Sequence, residues 1–439
     1  MDNGLIDRMR KFPPFALLTV LFCTGCGHSH EKAVDAVFID SLISHYSPPA
    51  AERANEEQII FWKNRIDKAN PGMVSEAKYA AALVARFHAT GDIRDVITAD
   101  SVLWQIDSTF NHKETGPYMA LMGNAILQHR FTQADSIFEK ARRIGLRRGP
   151  MLSGLFDVSF ELGHYDQALI ALNGLKADQD FGYYFRRSKM DHLNGNIDSA
   201  IRSMAKAGAL AGNSDYLKQV AFSNMADLDV HAGKAIDAGA LYRGCVDRNS
   251  ADFHSILGLG WIALIHDRND SLAKRIFQFV LTQNRLPDPL FKLYQVADAR
   301  GDSIAERKVA QAFVEAATNP LYGQMYNKYL IEIYTRTLNE PEKALVLAHG
   351  ELENRATPQT YAWYAWTLLA DHQAAAAYKV FEERVSGKPL EGLELYYMGK
   401  LMKAMDKGYN ASEFFKAADK SKYDLSPGIV RDLEAELDR

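Results

Sequence analysis

Only three cysteines occur in the 439 residues, at positions 23, 26 and 245, too few for a fold held by a disulfide framework. No run resembles a membrane span, which needs roughly 20 apolar residues. The stretch from Ile256 to Ile265 is apolar but short, and it reads as a buried helix. Positive charge is not in excess either: 51 Lys and Arg stand against 55 Asp and Glu, a formal net of −4. Nucleic acid is therefore a poor choice of main partner. A content of 47% hydrophobic and 24% charged residues excludes a disordered chain, a coiled coil or a collagen-like fibre. The familiar catalytic signatures are missing as well. There is no Gly-x-x-x-x-Gly-Lys-Ser/Thr, no Gly-x-Gly-x-x-Gly, no Gly-x-Ser-x-Gly and no His-Glu-x-x-His. No phosphate loop, dinucleotide fingerprint, nucleophile elbow or zinc-protease helix is encoded. The expectation is a protein that is not an enzyme and uses no cofactor and no metal.

The first residues carry a different pattern. Arg8, Arg10 and Lys11 are followed by an apolar run from Phe15 to Cys23, broken only by Thr19, and then by Thr24-Gly25-Cys26. A charged start, a short apolar stretch and small residues before a cut are the grammar of an export signal. Small residues before a cysteine also resemble the lipobox of bacterial lipoproteins. That resemblance implies a lipid on Cys26, which becomes the first residue of the mature chain. Cys23 stands where the lipobox prefers Leu, and the bulky Phe22 argues against Cys23 itself as the lipid site. Gly27, rather than Asp, after the cysteine is compatible with sorting to an outer membrane. Met9 offers a second start, with Arg10 and Lys11 directly behind it. With Cys23 removed and Cys26 acylated, Cys245 is left alone and no internal disulfide can form.

The rest of the chain repeats itself. A small residue, a bulky apolar residue four later and a small or apolar residue three after that recur along the sequence. Ala134-Phe138-Ala141, Ala168-Leu172-Leu175, Ala200-Met204-Ala207, Ala238-Tyr242-Cys245 and Ala273-Phe277-Val280 fit. Ala305-Val309-Ala312 and Ala411-Phe415-Ala418 follow, with degenerate copies at Ala344-Ala348-Glu351 and Ala377-Phe381-Arg384 and a weaker one opening at Val96. The leading alanines are 34, 32, 38, 35, 32, 39, 33 and 34 residues apart. Spacings of four and three share one helical face. Gly91, Gly163, Gly195 and Gly233 stand five residues before a leading position, and Gly301 stands four before. Glycine there suits the left-handed end of a preceding helix. The unit is helix, tight turn, helix.

This unit resembles the tetratricopeptide repeat. The period agrees, and so does the Gly-x-Tyr-x-x-Ala turn at Gly163, Tyr165 and Ala168. Ser188, Ala226, Ala365 and Gly399 supply the small residue of the first helix; Met122, Phe156, Trp261, Leu293 and Glu332 depart from it. The resemblance covers roughly residues 76 to 420. It implies an all-α solenoid of about ten repeats wound into a right-handed superhelix, whose first helices line a concave groove. The expected organisation is a signal over 1–25, a linker and N-terminal capping helices over 26–75, the array over 76–424 and a capping helix over 425–439.

Most chemistry-bearing residues read as scaffold. Cys245 lies on a packing face and reads as a small buried hydrophobe. Gly258 and Gly260 suit close helix packing. Lys140, Arg142, Arg143, Arg147 and Arg148 gather at a helix C-terminus, where the dipole favours cations. One region is less routine. Pro320 to Tyr329, with Tyr334 and Arg336, lies in the longest interval. The groove register of the resemblance places Tyr326, Tyr329, Arg336, Trp366, Tyr396, Lys400 and Lys403 toward the concave side, with Phe185, Arg186 and Lys189 as a weaker version. Aromatics beside cations suit an amphipathic or anionic ligand. The expected function is a lipid-anchored scaffold in the cell envelope, on the outer membrane, binding a protein or peptide in its groove. A glycan- or nutrient-binding lipoprotein working with a transporter is the alternative.

Overall fold

The computed structural model describes residues 31 to 438, apart from 68 and 70. The expected export signal and lipid site at Cys26 lie outside the described residues. Two helices open the chain, α1 (Ala36–Ser44) and α2 (Ala50–Lys63). Ten helix pairs follow. They are α3 (Val74–Thr90) with α4 (Ile93–Thr109), α5 (Thr115–Leu127) with α6 (Phe131–Ile144), and α7 (Arg148–Glu161) with α8 (Tyr165–Leu175). Next come α9 (Phe181–Leu193) with α10 (Ile197–Ala209), α11 (Asp215–His231) with α12 (Ala235–Arg248), and α13 (Phe253–Ile265) with α14 (Asp270–Gln283). The last four are α15 (Asp288–Arg300) with α16 (Ser303–Ala317), α17 (Asn327–Ile333) with α18 (Pro341–Asn354), α19 (Pro358–Ala370) with α20 (Ala374–Val380), and α21 (Gly392–Ala404) with α22 (Gly408–Asp419). A final helix, α23 (Pro427–Leu437), closes the array. No strand occurs among the described residues. The fold is an all-α, tetratricopeptide-like solenoid, as its repeat pattern indicates.

Each pair is set by two positions. The fourth residue of the second helix is Val or Ala in nine of the ten pairs, and none of these nine is more than 4% exposed. A side chain that small lets the neighbouring helix approach closely. Five residues before it, every turn holds a residue with positive φ: Gly91, His129, Gly163, Gly195, Gly233, Arg268, Gly301, Asn339, His372 and Asp406. The exception to the small-residue rule is α16, whose fourth residue is Glu306. Ala305 and Val309 are only half-buried, and the inward positions belong to Ala310 and Phe313, both fully buried. The expected motif at Ala305-Val309-Ala312 is thus displaced by one residue. The helix is set by Asp302, whose carboxylate caps the Ala305 N–H at 3.0 Å.

Two further irregularities have one cause. α17 and α20 each run into a π-helical turn, at Tyr334–Leu338 and Phe381–Val385. A π turn carries one surplus residue. In the second case it moves the inward position from the exposed Arg384 to Val385, which is 1% exposed.

The array also closes on itself. The Arg285 N–H donates to the Thr90 carbonyl at 2.9 Å, and the Gln324 N–H to the Gln128 carbonyl at 3.2 Å. Asn354 donates to the His129 carbonyl at 2.7 Å and accepts from the Phe131 N–H at 2.8 Å. Gly163 lies against Thr357, and Gly233 against Tyr423. Turns of the early pairs therefore pack on segments some half-dozen pairs later. The irregular Pro320–Tyr326 segment serves this closure. The Tyr322 hydroxyl reaches the Arg285 carbonyl at 3.2 Å, and Gly323 packs on the Gln128 backbone.

The ends differ. α2 packs on α3 and caps the array. α1 docks instead on α12 and α14, where Asp267 accepts the Ala33 and Val34 N–H groups at 2.9 and 3.0 Å. Helix α23 seats on α22 and α15.

Candidate functional site

Closure leaves space inside the array. Three cavities of about 400, 280 and 290 Å³ lie next to one another. The first and second share Lys189, His192, Lys328, Tyr329 and Glu391; the first and third share Asp227, Phe291, Lys292, Tyr329 and Asp424. Tyr329 borders all three. Together they form one partitioned chamber, walled by the first helices of successive pairs and by the segment that leads into α23.

Its wall is rich in charge, and Asp227, His254 and Glu391 remain substantially exposed on it. Lys189 of α9 donates to Glu161 at 2.8 Å and lies over the Phe160 ring, 4.5 Å from its centroid. On α11, Asp227 accepts from the Tyr242 hydroxyl at 2.5 Å and pairs with His254 at 3.0 Å. The Asp227 charge lifts the His254 imidazole to about 9, so it is protonated at neutral pH and a poor general base. His231 pairs with Asp424, and its ring meets His192 edge-on at 4.7 Å. Burial pulls the His231 imidazole down, but Asp424 outweighs it and holds it above the usual range. Lys328 of α17 stands 3.8 Å from Glu391 and 3.7 Å from Glu394. Burial raises the Glu391 carboxyl, yet Lys328 and the nearby histidines hold it below the ordinary value. Burial raises Glu332, which accepts from Ser426 at 2.6 Å and pairs with Arg336 at 3.2 Å.

Lys292 of α15 is the exception. Its ammonium lies 4.0 Å from the centre of the Trp261 ring and makes no hydrogen bond or ion pair among the described residues. Burial pulls it down to about 8 despite Asp288, Asp424, Glu332 and Asp227 around it. The Tyr329 hydroxyl has no hydrogen-bond partner either, while its ring packs 4.4 Å from that of Phe291.

The seven groove residues expected from the sequence are distributed over two places. Tyr329 faces the chamber. Tyr326 borders the third cavity but is only 4% exposed, and its hydroxyl donates to Asp288 at 2.6 Å. Arg336 sits behind Glu332. Trp366 stacks on Tyr397 at 4.3 Å and donates to Thr335 at 2.9 Å. Tyr396 and Lys400 bind Asp432 at 2.6 and 2.8 Å, Lys400 binds Glu436 at 3.1 Å, and Lys403 pairs with Glu436. The last three thus engage the acidic face of α23. The chain's own C-terminal helix occupies that stretch of groove. Of the weaker pattern, Lys189 faces the chamber and Arg186 is held by Asp157 at 2.6 Å.

Sequence reasoning passed over Asp227, His231, Lys292, Lys328, Glu391 and Glu394. A usable signal existed. Asp227 with His231, Asp288 with Lys292 and Lys328 with Glu332 are ionisable residues four apart on first helices, which puts each pair on one face. Cys245 is fully buried, burial raises its thiol, and it is no nucleophile. Among the described residues no cluster of His, Cys, Asp and Glu is arranged to hold a metal, and no helix is long and apolar enough to cross a membrane.

No family profile and no curated protein matches the chain. Solved structures do resemble it at low identity. A tetratricopeptide repeat protein from Parabacteroides merdae is 12% identical, with a TM-score of 0.35 over 60% of this chain and 100% of its own. The Cut9–Hcn1 hetero-tetramer of the APC/C is 12% identical, with a TM-score of 0.48 over 91% and 69%. Human IFIT1, solved as a dimer with PPP-AAAA, is 11% identical, with a TM-score of 0.43 over 86% and 98%. The chain's own ten helix pairs and ten equivalent turns define its architecture as a tetratricopeptide-like solenoid.

Proposed function

We propose that this chain is a non-enzymatic, lipid-anchored binding protein of the cell envelope that holds a protein or peptide partner inside its array. Solenoids of stacked helix pairs use their concave surface for binding. The observation that carries the reading is the chamber centred on Tyr329, where aromatic rings, charges of both signs and an unpaired lysine face a shared space. Polar groups kept in an interior without full pairing cost stability, and a ligand that completes them offsets that cost. The anchor rests on the lipobox-like Thr24-Gly25-Cys26.

The test is purification of the full-length protein from detergent-solubilised envelope, with mass spectrometry of the co-purifying proteins and of the N-terminal peptide. A stoichiometric partner and a diacylglyceryl Cys26 are expected. An unlipidated chain in the soluble fraction with no partner would refute both parts. A second reading, a small-ligand lipoprotein working with a transporter, is favoured by one observation: a space of about 400 Å³ is in the range of small-molecule sites.

A further inference from the structure

The chamber's charges do not all cancel locally. Lys189 has Glu161 at 2.8 Å, His254 has Asp227 at 3.0 Å, Arg355 has Glu351 at 3.4 Å, and His231 has Asp424. Two places are left over. Lys292 has no carboxylate oxygen within 4.0 Å. Glu391 and Glu394 share the single ammonium of Lys328, which leaves one negative charge in excess. Glu394 is 0% exposed. One of its oxygens accepts from the Trp363 indole at 2.6 Å, while the other is buried with no partner. The first cavity borders both Lys292 and Glu391, and the second borders Glu391 and Glu394. The half-buried ammonium of Lys292 and the half-exposed carboxylate of Glu391, each short of a partner on one partly open space, are complementary to a ligand with two opposite charges.

We infer that the chamber binds a small zwitterion, a short peptide with free ends or a free amino acid, with its carboxylate on Lys292 and Tyr329 and its ammonium on Glu391. The inference rests on the reading of the chamber as a binding site and names what that site takes. Lys292 and the Tyr329 hydroxyl both donate, as a carboxylate requires, and the Glu391 carboxylate on the same cavity accepts, as an ammonium requires. The rings of Trp261, Phe291 and Tyr329 line the third cavity beside Lys292 and leave room there for an apolar side chain.

Titration calorimetry on the folded chain provides the test, with trialanine, its N-acetylated form, its C-terminal amide, free alanine and a mixture of free-ended tripeptides as probes. Binding of free-ended peptides is expected, and blocking either end should weaken it by about tenfold or more, the effect of a charge-assisted hydrogen bond. Lys292→Met should make acid and amide bind alike, and Glu391→Gln should do the same for amine and acetyl. The blocked peptides test the idea on the unaltered protein, so a misfolded variant does not decide it. Alanine binding as tightly as trialanine would assign the site to amino acids; trialanine binding more tightly would assign it to peptides. Absence of binding by every free-ended probe at millimolar concentration would overturn the inference, as would equal binding of blocked and free forms. If a protein partner still co-purified, only the zwitterion would fall; if none did, the binding role itself would fall.

Discussion

Lys292 shows how a single residue exposes the purpose of an interior. Its ammonium has a Trp face and no anion in contact, and burial lowers it to about 8 against the attraction of Asp288, Asp424, Glu332 and Asp227. An unfolded lysine titrates near ~10.4. The folded state therefore holds fewer protons than the unfolded one between these values, and stability rises with pH across that window. Below it the penalty is fully present. Lys292→Met, which keeps length and adds apolar contact with Trp261, is expected to stabilise the fold by roughly 1–2 kcal/mol at pH 7, with the gain shrinking above pH 8. Urea melts at pH 7 and pH 10 measure it; an equal gain at both would show that the ammonium is not the cause. The residue was hard to see in advance because lysine on a helix usually marks solvent. Nothing in the one-dimensional pattern says that the facing surface is the inside of a closed coil.

At the scale of elements, much was legible. The four-and-three spacing named the second helix of nearly every pair, and the buried Ala134, Ala200, Ala238 and Ala273 occupy the same place in each. The one-residue error in α16 had a visible clue: Gly301 stood four, not five, before the supposed leading alanine. Counting from the glycine lands on Glu306, because the left-handed turn and not the alanine sets the register. The π turns were not legible, since a surplus residue inside a helix leaves no turn signal. The glycines permit a test that separates local from distant effects. Gly195 has φ +74° and open space around it, whereas Gly91, φ +72°, faces Asn284 and Leu286 of a later turn. Gly195→Ala should cost about 1 kcal/mol, the backbone term alone. Gly91→Ala should cost about 2 kcal/mol more than that, since a methyl there pushes on the closing contact. Equal losses in chemical denaturation would show that the closing contact contributes little.

The whole molecule is where the sequence was least informative. Closure depends on contacts more than 190 residues apart, as between Asn284 and Ala89 or Asn354 and His129, and no local pattern encodes them. Asn354 is 5% exposed and satisfies both the His129 carbonyl and the Phe131 N–H. Asn354→Ala leaves both groups buried and unpaired, at a cost of roughly 2–4 kcal/mol. Hydrogen exchange should then accelerate around residues 128–131 and 324–326 before the rest of the array. Uniform acceleration would mean that the coil unfolds as one body and that Asn354 does not latch it. Closure also explains why the expected groove is split: α23 fills one stretch, against Tyr396, Lys400 and Lys403, and what remains is the chamber around Tyr329.

Site-specific photocrosslinking in intact cells shows whether the chamber is where this protein binds. A photoreactive phenylalanine placed at Tyr329, with a second at the exposed convex Val346 (72% exposed) as reference, reports which surface touches the partner. A discrete adduct is expected from position 329 and none from position 346. An adduct from position 346 alone would move the binding surface to the outside of the coil and rule out the chamber.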